Sequence, residues 1–391
     1  MLRVWVRVGG AMAPRLPQGA RGMRSSPALR YKEVKFVPHL AEQNIENPFP
    51  GLKTLEKAIG KQITTRIGSN ESIAMKDHPL SSILSPDVLD LVRLYPDPYC
   101  RDIRAFLAEK FRMNEEEIIT DAGGDSLIFL ALRTRISPGD LLVTTAGTYP
   151  TVRYLAQGLG AKILEVPYAQ EKDALKPSLQ DLAKAAIDKQ ADVVYIANPD
   201  NPTGQAFTSG EIMRFRSWLP EDTTLILDEA YIDFCPNYAV MDRLPNTIQI
   251  RTMSKAYGLA GIRLGYAFAR APWVEKADQI RVQFTTNSLT NFLAMKVLQD
   301  ANFSTSLIQE TIQLRTQLTD KLRSNGLKAL SSNTNFVPVV YPSKADAIAR
   351  QKALWDIGVA VHRPPHPSMQ HVLRITASPQ ALDEAIISRL V

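Results

Sequence analysis

The chain has 391 residues, 45% of them hydrophobic and 22% charged, the composition of a folded globular protein and too much sequence for one simple core. No stretch approaches the roughly 20 consecutive apolar residues that cross a bilayer. The net charge of +6 belongs to the first residues: Arg3, Arg7, Arg15, Arg21, Arg24, Arg30 and Lys32 are the seven basic residues of positions 1–32, which hold no acid, and the rest carries 39 basic against 40 acidic residues. That balance implies no nucleic acid or other polyanion as partner.

Residues 1–32 read as a mitochondrial-type targeting peptide, as an extension upstream of a later start at Met12 or Met23, or as a disordered tail. A cytoplasmic location is expected unless the first reading holds. Cys100 and Cys235 are too few for a disulfide framework or a zinc site and suit a reducing compartment. The five histidines show no metal spacing, and no metal is expected.

Next comes a Pro/Gly/Asn-rich arm containing NPFPG and RIGSNES. From residue 122 the chain alternates. AGGDSL (122–127) stands before the helical pattern SLIFLALRTRI, then LLVTTA (141–146) reads as a strand, GTYP (147–150) as its exit, and TVRYLAQGLG as a helix. AKILEV (161–166), ADVVYIA (191–197), TTLILDEA (223–230), TIQIRTMS (247–254) and IRLGYAFA (262–269) are further short β-branched or aliphatic runs. This pattern predicts an α/β fold with a mostly parallel sheet covered by helices on both faces. After Pro272 the reading is α+β: long helices ending at the C-cap candidate Gly326, the strand NFVPVVYP, a helix through ALWDIG, and the strands VAVHRP and VLRITA. The predicted division is a basic leader (1–32), an arm joining the small domain (33–80), a large domain (81–283) and a small C-terminal domain (284–391).

In such sheets ligands collect where the chain leaves the carboxyl ends of the strands. There stand NPDNPTG (198–204), DEAY (228–231) and SKAYGLAGIRLGY (254–266), the last with Lys255 and Arg263 among small and apolar residues and no acid beside them. The helix start at AGGDSL offers free backbone N–H groups to a phosphate, and Tyr149 offers an aromatic face. A phosphorylated, cationic, aromatic aldehyde suits these parts together, and pyridoxal 5′-phosphate is such a molecule.

NPDNPTG, LDEAY and SKAYGLAGIRLGY closely resemble the motifs of the class I/II aminotransferases of fold type I, and the lysine segment resembles the histidinol-phosphate aminotransferase branch. The likeness runs from about NPFPG to the C-terminus with its landmarks in order. It implies a large domain with a mostly parallel sheet plus a smaller α+β domain, and a homodimer with the active site shared across the interface. Implied too are pyridoxal 5′-phosphate as cofactor and transfer of an amino group from a donor to a keto or aldehyde acceptor in ping-pong fashion. Lys255 would form the Schiff base with the cofactor and move the substrate's α-proton. Asp228 would pair with the ring nitrogen, Asn201 and Tyr231 with the phenolic oxygen, and Tyr149 would stack on the ring. Gly124, Asp125, Ser126, Ser254 and Arg263 would hold the phosphate, and Tyr95 of RLYPDPY would reach the partner subunit's phosphate. Arg374 would bind the substrate's carboxylate or another anionic group, with Phe49 and Asn70 as further substrate-side candidates. Read as ordinary structure, Asn201 is a turn former, Asp228 a helix cap or ion pair, and the tyrosines core residues.

The chain departs from the branch in three places. Asp125-Ser126 stands where the family has Asp-Glu, Phe49 where the branch has tyrosine, and His362 where it has arginine. Arg363, one residue on, is predicted to face the other way along a strand. The first alters local charge but not the backbone donors, while Phe49 and His362 point to weaker binding of an anionic side chain, so another amino acid substrate is expected as readily as histidinol phosphate. A decarboxylase resembling threonine-phosphate decarboxylase is the alternative, sharing every cofactor residue. A nicotinamide-dependent oxidoreductase would need G-x-G-x-x-G after a first strand, and no such motif stands at a suitable place.

Overall fold

The computed structural model describes residues 36–49, 51–72, 80, 88, 90–171, 174–235, 238 and 244–391. The expected leader, residues 1–32, lies outside them, as do parts of the expected arm. Seven runs of β-branched and aliphatic residues, each too short for a helix, form one sheet. In chain order they are β1 (Ile118–Asp121), β2 (Leu141–Thr145), β3 (Lys162–Val166), β4 (Val193–Ala197), β5 (Thr224–Asp228), β6 (Thr247–Thr252) and β7 (Gly265–Phe268).

Across the sheet the order is β1-β7-β6-β5-β4-β2-β3. Neighbours are parallel except at β7, which runs antiparallel to both β1 and β6. The inversion follows from the connection, since a parallel return needs a crossover and the segment between β6 and β7 holds only a 3-10 turn, Ala260–Ile262.

Side chains alternate between two cores. Val193, Tyr195 and Ala197 of β4 join one cluster with Ile226, under the helices Gly124–Arg133, Pro150–Gly158 and Ala271–Ile280. Val194 and Ile196 join another with Leu225 and Leu227, under Leu179–Asp188 and Ser209–Trp218. Because both faces are covered, the strands read as continuous apolar runs. The chain passes from β2 out to β3, then back to β4 on the other flank, so the loops leaving β2 and β4 diverge and open a crevice.

A smaller antiparallel sheet holds Lys328–Ala329, Phe336–Val340 and Val372–Thr376. The helix Ala301–Ser324 packs beside it and ends as the sequence predicts. The Leu327 N–H bonds the Leu322 carbonyl at 3.1 Å and the Gly326 N–H bonds the Arg323 carbonyl at 2.9 Å, with Gly326 at φ +81°: a glycine-closed helix end. The arm pairs through Thr65–Arg66 with Val359–Ala360, in parallel, and Ile67 is buried with Val337 and Leu373. VAVHRP is not a full strand, because the regular strand stops at Ala360. Residues Pro38–Val391 pack as one compact unit, and we propose that the two sheets are its lobes, divided near residue 283. Among the described residues no helix is long and apolar enough to cross a membrane.

Candidate active site

The site is built from the strand ends inward. After Thr224, β5 is apolar from Leu225 to Leu227 and then meets Asp228, whose side chain falls on the same face as Tyr195 of the neighbouring strand. The Tyr195 hydroxyl donates to Oδ2 of Asp228 at 2.7 Å, and the backbone N–H of Ala230 donates to Oδ1 at 3.0 Å. Both donors are neutral. Burial pushes the Asp228 carboxyl up to about 6, against the pull of these two hydrogen bonds, with Asp125 and Glu229 adding to the rise. A buried carboxylate without a cation is costly, so this position is suited to receive one.

Lys255 leaves β6 in the turn after Ser254, and its Nζ donates to the backbone carbonyl of Asn70 at 3.1 Å. Arg263 closes the same turn at φ +56°, donating through Nη1 to the Ser254 hydroxyl at 3.3 Å. Its Nη2 lies 3.8 Å from Oδ2 of Asp125. The helix Gly124–Arg133 starts here with no side chain capping it, so its first N–H groups face the crevice with the positive end of the helix dipole. Gly123 permits this convergence: it sits at φ +85°, and a Cβ there would lie 2.6 Å from Nη2 of Arg263. Tyr149, at the exit of β2, donates its hydroxyl to Oδ1 of Asp125 at 2.8 Å.

The arm and the small sheet form the opposite wall. Asn70, at φ +54°, donates through Nδ2 to the Tyr231 hydroxyl at 2.9 Å and receives the Thr376 hydroxyl at 3.1 Å. Nζ of Lys255 lies 5.8 Å from the centroid of the Tyr231 ring. Arg374 is buried, donating from Nη1 to Oδ1 of Asn201 at 2.6 Å and from Nη2 to the Gly68 carbonyl at 2.7 Å. Its Nε has no hydrogen-bond partner among the described residues. The Phe49 ring lies 6.0 Å from that of Tyr149 and 5.9 Å from that of His362. Burial, then the nearby Arg374 and Arg363, push the His362 imidazole well below its ordinary pKa, so it is neutral at pH 7.

Between these walls lies a cavity of about 580 Å³, within the range of small-molecule sites. Of the candidates read from sequence, Phe49, Gly124, Asp125, Tyr149, Asn201, Asp228, Tyr231, Ser254, Lys255, Arg263 and Arg374 line it. Ser126 and Asn70 are not among the lining residues, and Asn70 bonds the lining Tyr231. Tyr95 is elsewhere in this chain: it is 85% exposed and packs against Phe284 with ring centroids 5.0 Å apart.

One expectation is corrected. The strand stops at Ala360 and continues only as a bridge of His362 to Arg374, and Arg363, expected to face away, lines the cavity together with His362. Arg363 donates from Nε to Oε1 of Gln351 at 3.0 Å, and no carboxylate among the described residues pairs with it. Sequence reasoning also missed Tyr195, although a tyrosine inside the buried run VVYIA must find a partner for its hydroxyl. Asp200 was missed as well. Thr148, Tyr168 and Thr203 donate to it at 2.8, 2.9 and 2.7 Å, tying the loop after β4 to the loop after β2.

A ligand with a cationic nitrogen, a phosphate and an amine-reactive carbon fits this arrangement. Asp228 offers the anion, the uncapped helix start with Arg263 and Ser254 offers phosphate donors, and Lys255 offers the amine.

Comparisons with known proteins agree with the fold and the motifs. The family described as "Aminotransferase class I and II" matches residues 90–390. A histidinol-phosphate aminotransferase of Anaeromyxobacter sp. is 31% identical over 317 residues, 78% of this chain and 85% of its own length. One from Bacillus subtilis is 28% identical over 366 residues, 91% of this chain and 99% of its own. Among solved structures, histidinol-phosphate aminotransferase from Sinorhizobium meliloti in complex with pyridoxal-5′-phosphate superposes with a TM-score of 0.81 at 30% identity, over 92% of this chain and 97% of that one. The chain therefore belongs to the class I and II aminotransferases.

Proposed function

We propose that the protein is a pyridoxal 5′-phosphate-dependent aminotransferase similar to histidinol-phosphate aminotransferase, moving an amino group from an amino donor to a keto or aldehyde acceptor. The observation that carries the reading is Asp228, a buried carboxylate with neutral donors only among the described residues, on the cavity that Lys255 also lines. Pyridoxal phosphate, when bound, supplies an aldehyde that condenses with amines and a cationic ring that withdraws electrons from the substrate's α-carbon.

The chain's own residues do the rest. Asp228 holds the proton on the ring nitrogen, and Tyr195 orients that carboxylate. Gly124, Asp125 and Ser126 at the helix start, with Ser254 and Arg263, hold the phosphate. Tyr149 gives the ring a flat wall, while Asn201 and Tyr231 offer hydrogen bonds to its phenolic oxygen. The Nζ of Lys255 takes the α-proton and returns it, as general base and then acid. Arg374 binds the substrate's carboxylate, which would exchange for the Asn201 and Gly68 oxygens it now holds. Phe49 and His362 bound the side-chain end of the pocket, and Asn70 fixes Tyr231 from behind. We further propose a homodimer in which the exposed Tyr95 reaches the partner subunit's phosphate site.

The test is the absorbance spectrum of the protein reconstituted with pyridoxal phosphate, before and after excess glutamate without an acceptor. A visible band that bleaches on glutamate supports the aminotransferase, and an acceptor screen including the keto counterpart of histidinol phosphate then identifies the second substrate. Release of carbon dioxide with a band left intact would favour a decarboxylase. Failure to form any visible band would remove Lys255 from its role.

A further inference from the structure

β5 runs out in two adjacent carboxylates that the strand sends to opposite faces of the sheet. Asp228 faces the cavity. Glu229, on the other face, is fully buried, and both its oxygens are taken. Oε1 accepts from the Tyr238 hydroxyl at 2.8 Å, and Oε2 accepts from Nε of Arg251 at 2.8 Å. Arg251 comes from β6, where Asp228 is in register with Ile250. Its guanidinium carbon lies 5.3 Å and 5.5 Å from the ring centroids of Phe111 and Phe268, so aromatic rings hold it as well as the carboxylate. Asp233, Lys110, Tyr257 and Tyr266 complete the charged and titratable groups on that side. On the cavity side Asp228 is faced by Tyr195 from β4 and Asp125 from the helix Gly124–Arg133, while Tyr149 after β2 and Lys255 after β6 line the same cavity.

The two neighbours are thus treated unequally. Glu229 has a buried cation, and Asp228 has none among the described residues. We infer that Arg251 is a positioning residue for the cofactor site: by pairing with Glu229 it cancels the second charge at the end of β5 and leaves Asp228 as the ionised carboxylate available to a ring cation. This rests on the role proposed above for Asp228, and adds to it the reason a second buried acid can stand next in the chain.

Charge cancellation has a sign, and packing does not. Removing the charge of Glu229 alone leaves Arg251 unbalanced behind Asp228, which then stays ionised to lower pH. Removing Arg251 alone leaves Glu229 unbalanced, and Asp228 holds its proton to higher pH. A pair that only packs would loosen the fold either way and move the titration neither way.

The experiment measures the affinity of the cofactor-free protein for pyridoxal phosphate by quenching of protein fluorescence, from about pH 5 to about pH 9, with a melting curve for each variant. Wild-type affinity rises with pH through the Asp228 midpoint. Glu229→Gln is expected to move that midpoint down by about half a unit, Arg251→Met to move it up by about as much, and the double variant to restore it. Shifts of the same sign, or an unmoved midpoint in a variant that melts like wild type, overturn the inference. If Glu229→Gln does not fold, Arg251→Met decides alone, an unmoved or lowered midpoint counting against. Wild-type protein that binds no pyridoxal phosphate at any pH would instead overturn the functional reading itself.

Discussion

Replacing Asp228 by Asn is expected to stabilise the cofactor-free protein while abolishing its function. Burial lifts the carboxyl from 3.8 to about 6 in the folded chain. An acid whose folded pKa lies above its unfolded value favours the native state while protonated. That contribution is full below the unfolded pKa and is lost as pH rises through the folded one. At 1.36 kcal/mol per unit, the ionised Asp228 costs the empty fold up to about 3 kcal/mol at neutral pH. Asn carries no charge and keeps an acceptor for the Ala230 N–H, now 3.0 Å from Oδ1. Its amide can donate to the Tyr195 oxygen across the present 2.7 Å contact, while the Tyr195 O–H gives up its acceptor, a loss of about 1 kcal/mol that acts equally at every pH. Denaturant unfolding of both proteins without cofactor should show a small difference at about pH 4 and a variant more stable by about 1–3 kcal/mol at about pH 8. Added pyridoxal phosphate should reverse the order, because it stabilises only the chain that binds it. A variant no more stable than wild type at the higher pH, or a difference that does not widen with pH, would refute the reasoning.

Three further outcomes are expected. Tyr195→Phe removes a hydrogen bond to an ionised acceptor, worth about 1.5–3 kcal/mol, and raises the Asp228 midpoint. Its loss of pyridoxal phosphate affinity should therefore be greater at about pH 6 than at about pH 8.5 in equilibrium titrations; an equal loss at both would separate Tyr195 from the Asp228 charge. Gly123→Ala places a Cβ at φ +85° against Arg263, a strain of about 1–3 kcal/mol. Competition binding should show affinity for pyridoxal phosphate falling more than affinity for unphosphorylated pyridoxal, and a parallel fall would mean the damage is not at the phosphate. Lys255→Ala loses the ammonium's contacts to the Asn70 carbonyl at 3.1 Å and, more weakly, the Ser69 carbonyl at 3.5 Å. It should melt within about 1 kcal/mol of wild type yet give neither a visible band nor a half-reaction with glutamate, and a variant that still transaminates would displace Lys255.

Much of the site was legible because buried parallel strands advertise themselves as apolar runs. A polar stop such as Asp228 or NPDNPTG then marks where the chain meets the crevice. Partnerships across the fold were not legible. That Tyr195 meets Asp228 depends on β4 and β5 lying side by side with Ala197 opposite Asp228, and no local pattern states that register. That Arg363 lines the cavity beside His362 was not legible either, because a period of two says little beyond the end of a two-residue strand. Tyr95 was assigned to a phosphate on resemblance, and within one chain it stands exposed and apart from the cavity.

The polar residues that resemblance assigns to a ligand are mostly bonded to one another in the free chain. Asn201 holds Arg374 at 2.6 Å, Tyr231 holds Asn70 at 2.9 Å and Asp125 holds Tyr149 at 2.8 Å. Such pairs satisfy groups that burial would otherwise leave unmet, so a ligand that displaces one gains only the difference between two hydrogen bonds. The groups that the chain leaves incomplete have more to gain. Among the described residues, Asp228 has no cation, the helix start at Gly124 has no side-chain cap, and Nε of Arg374 has no acceptor. Their needs are a positive charge, a multiply charged anion and an oxygen acceptor, set around one lysine. A phosphorylated cationic ring together with an amino acid carboxylate meets all three, so the incomplete groups constrain the ligand more tightly than the longer roll of residues along the cavity wall.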